Sequence, residues 1–93
     1  MANNKSAKKR ILIAERNRLQ NRFYKTSVRT LTKMFLSSLE TYKTDKTLEN
    51  RAEVQTLLNS VYSLIDKGSK KKVFHKNTAA RKKSKLALRL KSA

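Results

Sequence analysis

Arg18, Arg22, Lys25, Arg29 and Lys33 follow one another in steps of 4, 3, 4 and 4. On a helix of 3.6 residues per turn this spacing stacks five cations in one row. Arg81, Lys82, Lys85 and Arg89 make a second row of the same kind. From the N-terminus to the start of the first row, Lys5, Lys8, Lys9, Arg10, Arg16 and Arg18 spread around most of a helix circumference at about 100° per residue. Rows of cations with few acids among them neutralise polyanions, and phosphate backbones are the commonest polyanions they meet. Other chemistries lack their residues. There is no cysteine, His75 is the only histidine, and the six carboxylates are scattered, so neither a nucleophile with its base nor a metal cluster is expected. The single glycine, Gly68, cannot build a phosphate-cradling loop. No catalytic residue, metal or cofactor is therefore expected.

The charge is segregated along the chain. Residues 1–33 carry ten basic side chains against Glu15, a balance of +9. Residues 34–67 set Lys43, Lys46, Arg51 and Lys67 against five acids, a balance of −1. Residues 68–93 carry ten basic side chains and no acid, completing the net +18 of the 93-residue chain. Solubility alone gives no reason for two basic segments to flank a neutral middle. With 38% hydrophobic residues, the core is small and must hold against strong self-repulsion, so a polyanionic partner supplies the missing countercharge. No apolar run approaches the ~18–20 residues of a membrane span, so no membrane partner is expected. The basic, acid-poor N-terminus has the composition of a transit peptide, but the bias recurs at the other end, and we read it as mature sequence.

The elements that must position these cations are helices. Proline is absent, and Tyr24, Val28, Leu31, Phe35, Leu39 and Tyr42 advance as one helical face. Val54, Leu57, Leu58, Val61, Leu64 and Ile65 repeat the pattern, and Ala79, Ala80, Leu86, Ala87 and Leu90 form a weaker third stripe. The spacing predicts an all-α fold with helices over about 5–43, 47–66 and 76–91. Thr44 to Thr47 supply N-cap candidates for the second helix, and His75 or Asn77 for the third. Gly68 reads as the left-handed residue that ends helix two, with Ser69–Lys72 as a basic connector. Lys83 falls near the apolar face of helix three and must snorkel.

At 1.5 Å per residue, residues 24–42, helix two and helix three have similar lengths and can pack as a bundle. Lys5 to Phe23 then project a further ~28 Å with nothing in the chain to cover them. We expect one domain, residues 1–93, divided into a basic arm over 1–23 and a three-helix bundle over 24–93. Like charges three and four residues apart fray the arm in water. Helix two, with a strong apolar stripe and no basic row, is expected to face away from the partner. Phe35, Tyr42 and Tyr62 read as core or core rim. Phe23 and Phe74 are expected to pack locally, with base stacking as the alternative. Asn4, Ser6, Asn17, Asn21, Thr26, Thr30, Asn77 and Ser84 lie among the cations, where such side chains contact phosphate and sugar oxygens.

Cations all round a helix suit burial among converging backbones, as in a folded RNA, better than the compact recognition helix of a major-groove reader. A histone-like protein that compacts DNA without sequence preference is the alternative. A membrane-active amphipathic peptide would need an apolar face on the arm, whereas Ile11, Leu12 and Ile13 are consecutive and point in different directions.

The run Ala2-Asn3-Asn4-Lys5-Ser6-Ala7-Lys8-Lys9-Arg10 resembles the opening of the bacterial-type small-subunit ribosomal protein S-twenty family. The likeness continues through Asn21, Lys25-Thr26-Ser27, Arg29-Thr30 and Lys33. It returns in His75-Lys76-Asn77-Thr78-Ala79-Ala80-Arg81-Lys82-Lys83-Ser84. Residues 44–72 diverge, as does the Val73-Phe74 lead into the histidine. The resemblance implies a three-helix bundle, monomeric within the ribosome of a bacterium or a plastid. It implies direct binding to small-subunit ribosomal RNA at the five-prime domain and the base of the long penultimate stem, with other small-subunit proteins as further neighbours. The matched positions are Lys5, Ser6, Lys8, Lys9, Arg10, Asn21, Arg29, Lys33, His75, Lys76, Asn77, Arg81 and Lys82. To these the basic rows add Arg16, Arg18, Arg22, Lys25, Lys85 and Arg89 as RNA-binding candidates.

Overall fold

The structure, a computed structural model, describes the backbone of residues 2–93 and the side chains of residues 5–93. Met1 and the side chains of Ala2, Asn3 and Asn4 lie outside the described residues, so the expected Asn4 contact is not placed. Three helices make up the fold: α1 (Ala2–Thr44), α2 (Leu48–Lys70) and α3 (Lys76–Ser92). The helical periodicities place them as expected. Phe35, Leu39, Val54, Val61 and Ile65 are the most deeply buried side chains, joined by Val28, Leu58, Phe74, Ala79, Leu86 and Leu90. Of the weak third stripe, Ala79, Leu86 and Leu90 enter the core while Ala80 stays exposed. α2 is the central element, packing along α1 on one side and against α3 on the other.

The α1–α2 connection is short and locally satisfied. Asp45 N–H donates to the Thr41 carbonyl at 3.0 Å and closes α1. Thr47 is the N-cap of α2, its hydroxyl accepting the Asn50 N–H at 3.2 Å. Glu49 lies in the first turn, where a carboxylate complements the helix dipole.

Gly68 departs from the expectation. It lies inside α2 without a positive φ, the helix runs on to Lys70, and Lys72 takes the left-handed conformation with φ 63°. Lys72 N–H donates to the Ser69 carbonyl at 3.0 Å and Val73 N–H to the Gly68 carbonyl at 2.8 Å. These are the paired bonds of a Schellman ending, made around a lysine. The connector is accordingly Lys71–His75 rather than 69–72. Gly68 is glycine for a tertiary reason: a Cβ there would lie 2.6 Å from Cδ2 and Cε2 of Phe74. The buried ring of Phe74 rests on the bare helix backbone and pins the turn into α3. Local packing is thus the fate of Phe74. Phe23 differs: it is 57% exposed, and its ring meets the neighbouring Tyr24 ring edge-on, at 5.2 Å between ring centres.

α3 is locked to α2 around Lys83. Tyr62 Oη donates to the Lys83 carbonyl at 2.8 Å, and Lys83 Nζ crosses the Tyr62 ring to reach Asp66 at 2.9 Å. The lysine on the apolar side of α3 therefore snorkels to a carboxylate of the neighbouring helix.

From Lys5 to Leu19 every side chain of α1 is exposed, and Val28 is the first buried one. The radius of gyration is 18.0 Å, with a longest dimension of 66 Å. A compact chain of this length would have a radius near ~12 Å. The excess is the uncovered N-terminal half of α1.

Candidate nucleic-acid interface

The apolar stripes fix the rotation of each helix, and the rotation brings the basic rows together. α1 turns Lys25, Arg29 and Lys33 toward the start of α3, where His75, Thr78 and Lys82 complete an open groove floored by Val28, Val73 and Phe74. The groove continues between α1 and α3 past Thr32 and Leu36 to Lys85, Leu86 and Arg89. Two basic rows that the sequence places on separate helices thus face one another across a single valley. Arg18 and Arg22 extend the α1 row onto the arm. Arg81 does not line this valley; it lines an adjoining depression with Thr78, Ser84 and Leu88, and Lys82 and Lys85 border both.

Few of these cations have a partner within the chain. Among the described residues the ion pairs are Arg18–Glu15, Lys43–Glu40 and Lys83–Asp66. Lys25, Arg29, Lys33, Lys82, Lys85 and Arg89 are exposed and have no carboxylate within ion-pair distance. Lys82 Nζ instead lies 5.9 Å from the Phe74 ring centre. Six unpaired cations along one valley repel each other in the free protein, a repulsion that bound anions would relieve. On the arm, Lys5, Lys8, Lys9, Arg10 and Arg16 are exposed, as are Ser6 and Asn21.

Arg18 is less free than its place in the row suggests. Its guanidinium donates through Nε to Glu15 at 3.1 Å and again through Nη2. The hydrogen bond and then the charge of Arg18 hold the Glu15 carboxyl below the ordinary carboxylate value, and Glu15 raises Arg18 in turn. Glu15, alone among the arm cations in the sequence, is spent on one of them.

His75 is the N-cap of α3: its Nδ1 accepts the Asn77 N–H at 3.1 Å. Imidazole that accepts at Nδ1 carries its proton on Nε2, which leaves a donor for the groove. Lys76 and Asn77 occupy the first turn of α3 and are exposed. Thr32 and Thr78 also line the groove and were not among the expected site residues. Thr78 lies inside the quoted C-terminal motif and Thr32 beside Lys33, but hydroxyls in a basic segment are too common to single out without the packing.

No helix is long and apolar enough to cross a membrane, and no group of carboxylates and histidine could hold a metal ion, both among the described residues. The arrangement suits the binding of an extended polyanion through many contacts.

Comparison with known proteins agrees with the motif resemblance. The family model described as Ribosomal protein S20 matches residues 2–91. The small ribosomal subunit protein bS20c of Phaeodactylum tricornutum is 70% identical over 91 residues, covering 98% of both chains. The bS20c protein of Trieres chinensis is 68% identical over the whole of both chains. The bS20 protein of Prochlorococcus marinus (strain MIT 9312) is 62% identical over 92% of this chain and 89% of its own. No solved structure matches the chain. Its helices, its segregated charge and its two separated motifs all lead to the same conclusion: the chain belongs to the ribosomal protein S20 family, structural proteins of the small ribosomal subunit.

Proposed function

We propose that this protein binds small-subunit ribosomal RNA directly and stabilises its folding and assembly by neutralising phosphates. The observation that carries the reading is the valley between α1 and α3, where Lys25, Arg29, Lys33, Lys82, Lys85 and Arg89 converge without acidic partners. The bundle, residues 24–93, holds this valley in shape, and residues 1–23 form the arm that lies among further backbones. Strands distant in the RNA sequence repel one another; cations arrayed on two helices and an arm lower that repulsion where the strands meet. The motif resemblance points to the five-prime domain and the base of the long penultimate stem as the RNA segments joined. The protein acts as a monomer within the ribosome of a bacterium or a plastid.

The arm's helix, continuous with the rest of α1 in the structure, is firmed by its partner. Lys5 with Lys8 and Lys9, and Arg18 with Arg22, place like charges on adjacent turns, which destabilises helix until phosphates intervene. Circular dichroism of the full chain should therefore gain helix on adding ribosomal RNA; unchanged helicity counts against coupled folding.

Salt titration tests the central reading. Neutralising ~10 phosphates gives a slope of log K on log salt of roughly −7 to −9, and a slope shallower than about −3 would reject the valley and arm as the contact surface. Arg29→Glu should weaken RNA binding and leave the bundle folded. Leu58→Ala, at a position 5% exposed, should instead cost ~2–5 kcal/mol of stability. Competition at raised salt separates this function from non-specific DNA compaction: excess duplex DNA should fail to displace ribosomal RNA.

A further inference from the structure

α1 carries a third face. Leu19, Phe23, Thr26, Thr30, Met34, Ser37 and Thr41 follow in steps of 4, 3, 4, 4, 3 and 4. They form a row about 100° from the basic row and about 135° from the core stripe, by the helical period. Each of the seven is exposed, Leu19, Phe23 and Met34 by 52%, 57% and 49%. Neither α2 nor α3 covers the row, and it holds no charged side chain over ~33 Å of helix. An exposed helix face is where a chain normally puts its charges. Here 32% of all residues are charged, yet this solvent face has none.

Resting on the ribosomal-RNA reading, we infer that this neutral face of α1 lies on the minor groove of an RNA duplex and contacts its ribose 2′-hydroxyls. On one side the row is flanked by Arg22, Arg29 and Lys33, with Glu40 toward its C-terminal end. With those cations on a phosphate backbone, the next face of the same helix turns toward the surface that the backbone borders. The A-form minor groove is wide and shallow and displays 2′-hydroxyls and base edges rather than phosphates. Thr26, Thr30 and Ser37 supply exposed hydroxyls that both donate and accept, which matches a 2′-hydroxyl. Leu19, Phe23 and Met34 supply apolar contact for the sugar edges between them. A long charged side chain would hold the helix off so shallow a surface, which accounts for the absence of lysine from this row.

Another helix is the poorer fit. Helix-in-groove docking uses apolar anchors at successive turns, and between Phe23 and Met34 this row offers only Thr26 and Thr30. A second copy of the chain would bring another +18 of charge against the first.

The test uses the sign of a charge. Adding a lysine to a phosphate-binding protein ordinarily tightens its hold on RNA or leaves it unchanged. Thr30→Lys and Ser37→Lys should each weaken binding of the full chain to small-subunit ribosomal RNA transcribed in vitro, by about tenfold or more at matched salt. Ser63→Lys, on the exposed outer side of α2, should not. Circular dichroism confirms that each variant keeps its helices. Because the chain has no cysteine, a radical-generating iron chelate on Ser37→Cys can be attached uniquely, and it should cut riboses on both strands of one duplex. If Arg29→Glu weakens binding while Thr30→Lys and Ser37→Lys tighten it or leave it unchanged, the minor-groove inference is overturned, and the face is left to solvent or a protein neighbour. If Arg29→Glu is itself without effect, the ribosomal-RNA reading fails first.

Discussion

Replacing Gly68 by alanine separates a tertiary role for this glycine from a local one. Gly68 sits within α2, and alanine is the better helix former there by ~1 kcal/mol. If secondary structure decided the matter, Gly68→Ala would stabilise the protein. The structure gives the opposite sign. The new methyl would lie 2.6 Å from two carbons of the Phe74 ring, against the ~3.5–4.0 Å of ordinary carbon contacts. Phe74 is 8% exposed and cannot swing into solvent without uncovering the core. Overpacking of this kind costs ~1–3 kcal/mol, and two close ring contacts put it toward the upper end, leaving a net loss of about 1–2 kcal/mol. At about 4–8 °C per kcal/mol for a domain of this size, the melting midpoint should fall by roughly 4–16 °C. Denaturant and thermal unfolding followed at 222 nm measure it. The double variant Gly68→Ala, Phe74→Leu should lose less than the two single changes added together, because the smaller side chain relieves the contact. A Gly68→Ala protein more stable than the parent would refute the reasoning.

Lys72, held at φ 63° in the Schellman ending of α2, should be stabilised by about 1 kcal/mol on replacement by glycine, read from the same unfolding curves. The Glu15–Arg18 pair predicts a pH dependence on the arm. Because the folded carboxyl is depressed, its contribution is complete above the ordinary carboxylate value and is lost as pH falls through the lower folded value. Carboxyl NMR should show Glu15 titrating below a free glutamate, and Arg18→Ala should return it upward.

The all-helical architecture was legible because its signal is local. Tyr24 through Tyr42, and Val54 through Ile65, carry the 3.6-residue period, and these positions are buried or half-buried in the fold. The caps were legible as short sets of candidates, Thr44 to Thr47 for α2 and His75 or Asn77 for α3, from which the structure takes Thr47 and His75: a side chain bonding a backbone N–H two or three residues on is a short-range event. Segregated charge was legible by counting, and the two motifs pointed to the family whose model now matches residues 2–91.

Gly68, Phe23 and the valley were not legible, each for a long-range reason. Glycine near a helix end signals a left-handed cap, but here Phe74, six residues on, needed the missing Cβ while Lys72 took the left-handed position. Phe23 precedes the first buried residue of α1, and nothing in its own turn says that α2 and the connector stop short of it. Composition and period determined how much charge the protein carries and which face of each helix bears it. Only the packing of α1 and α3 about the central α2 decided that two basic faces should meet across one valley and that Arg81 should fall beside it. The rotation of a helix about its axis is set by the apolar surface it buries against its neighbours, and that surface exists only once the chain has folded.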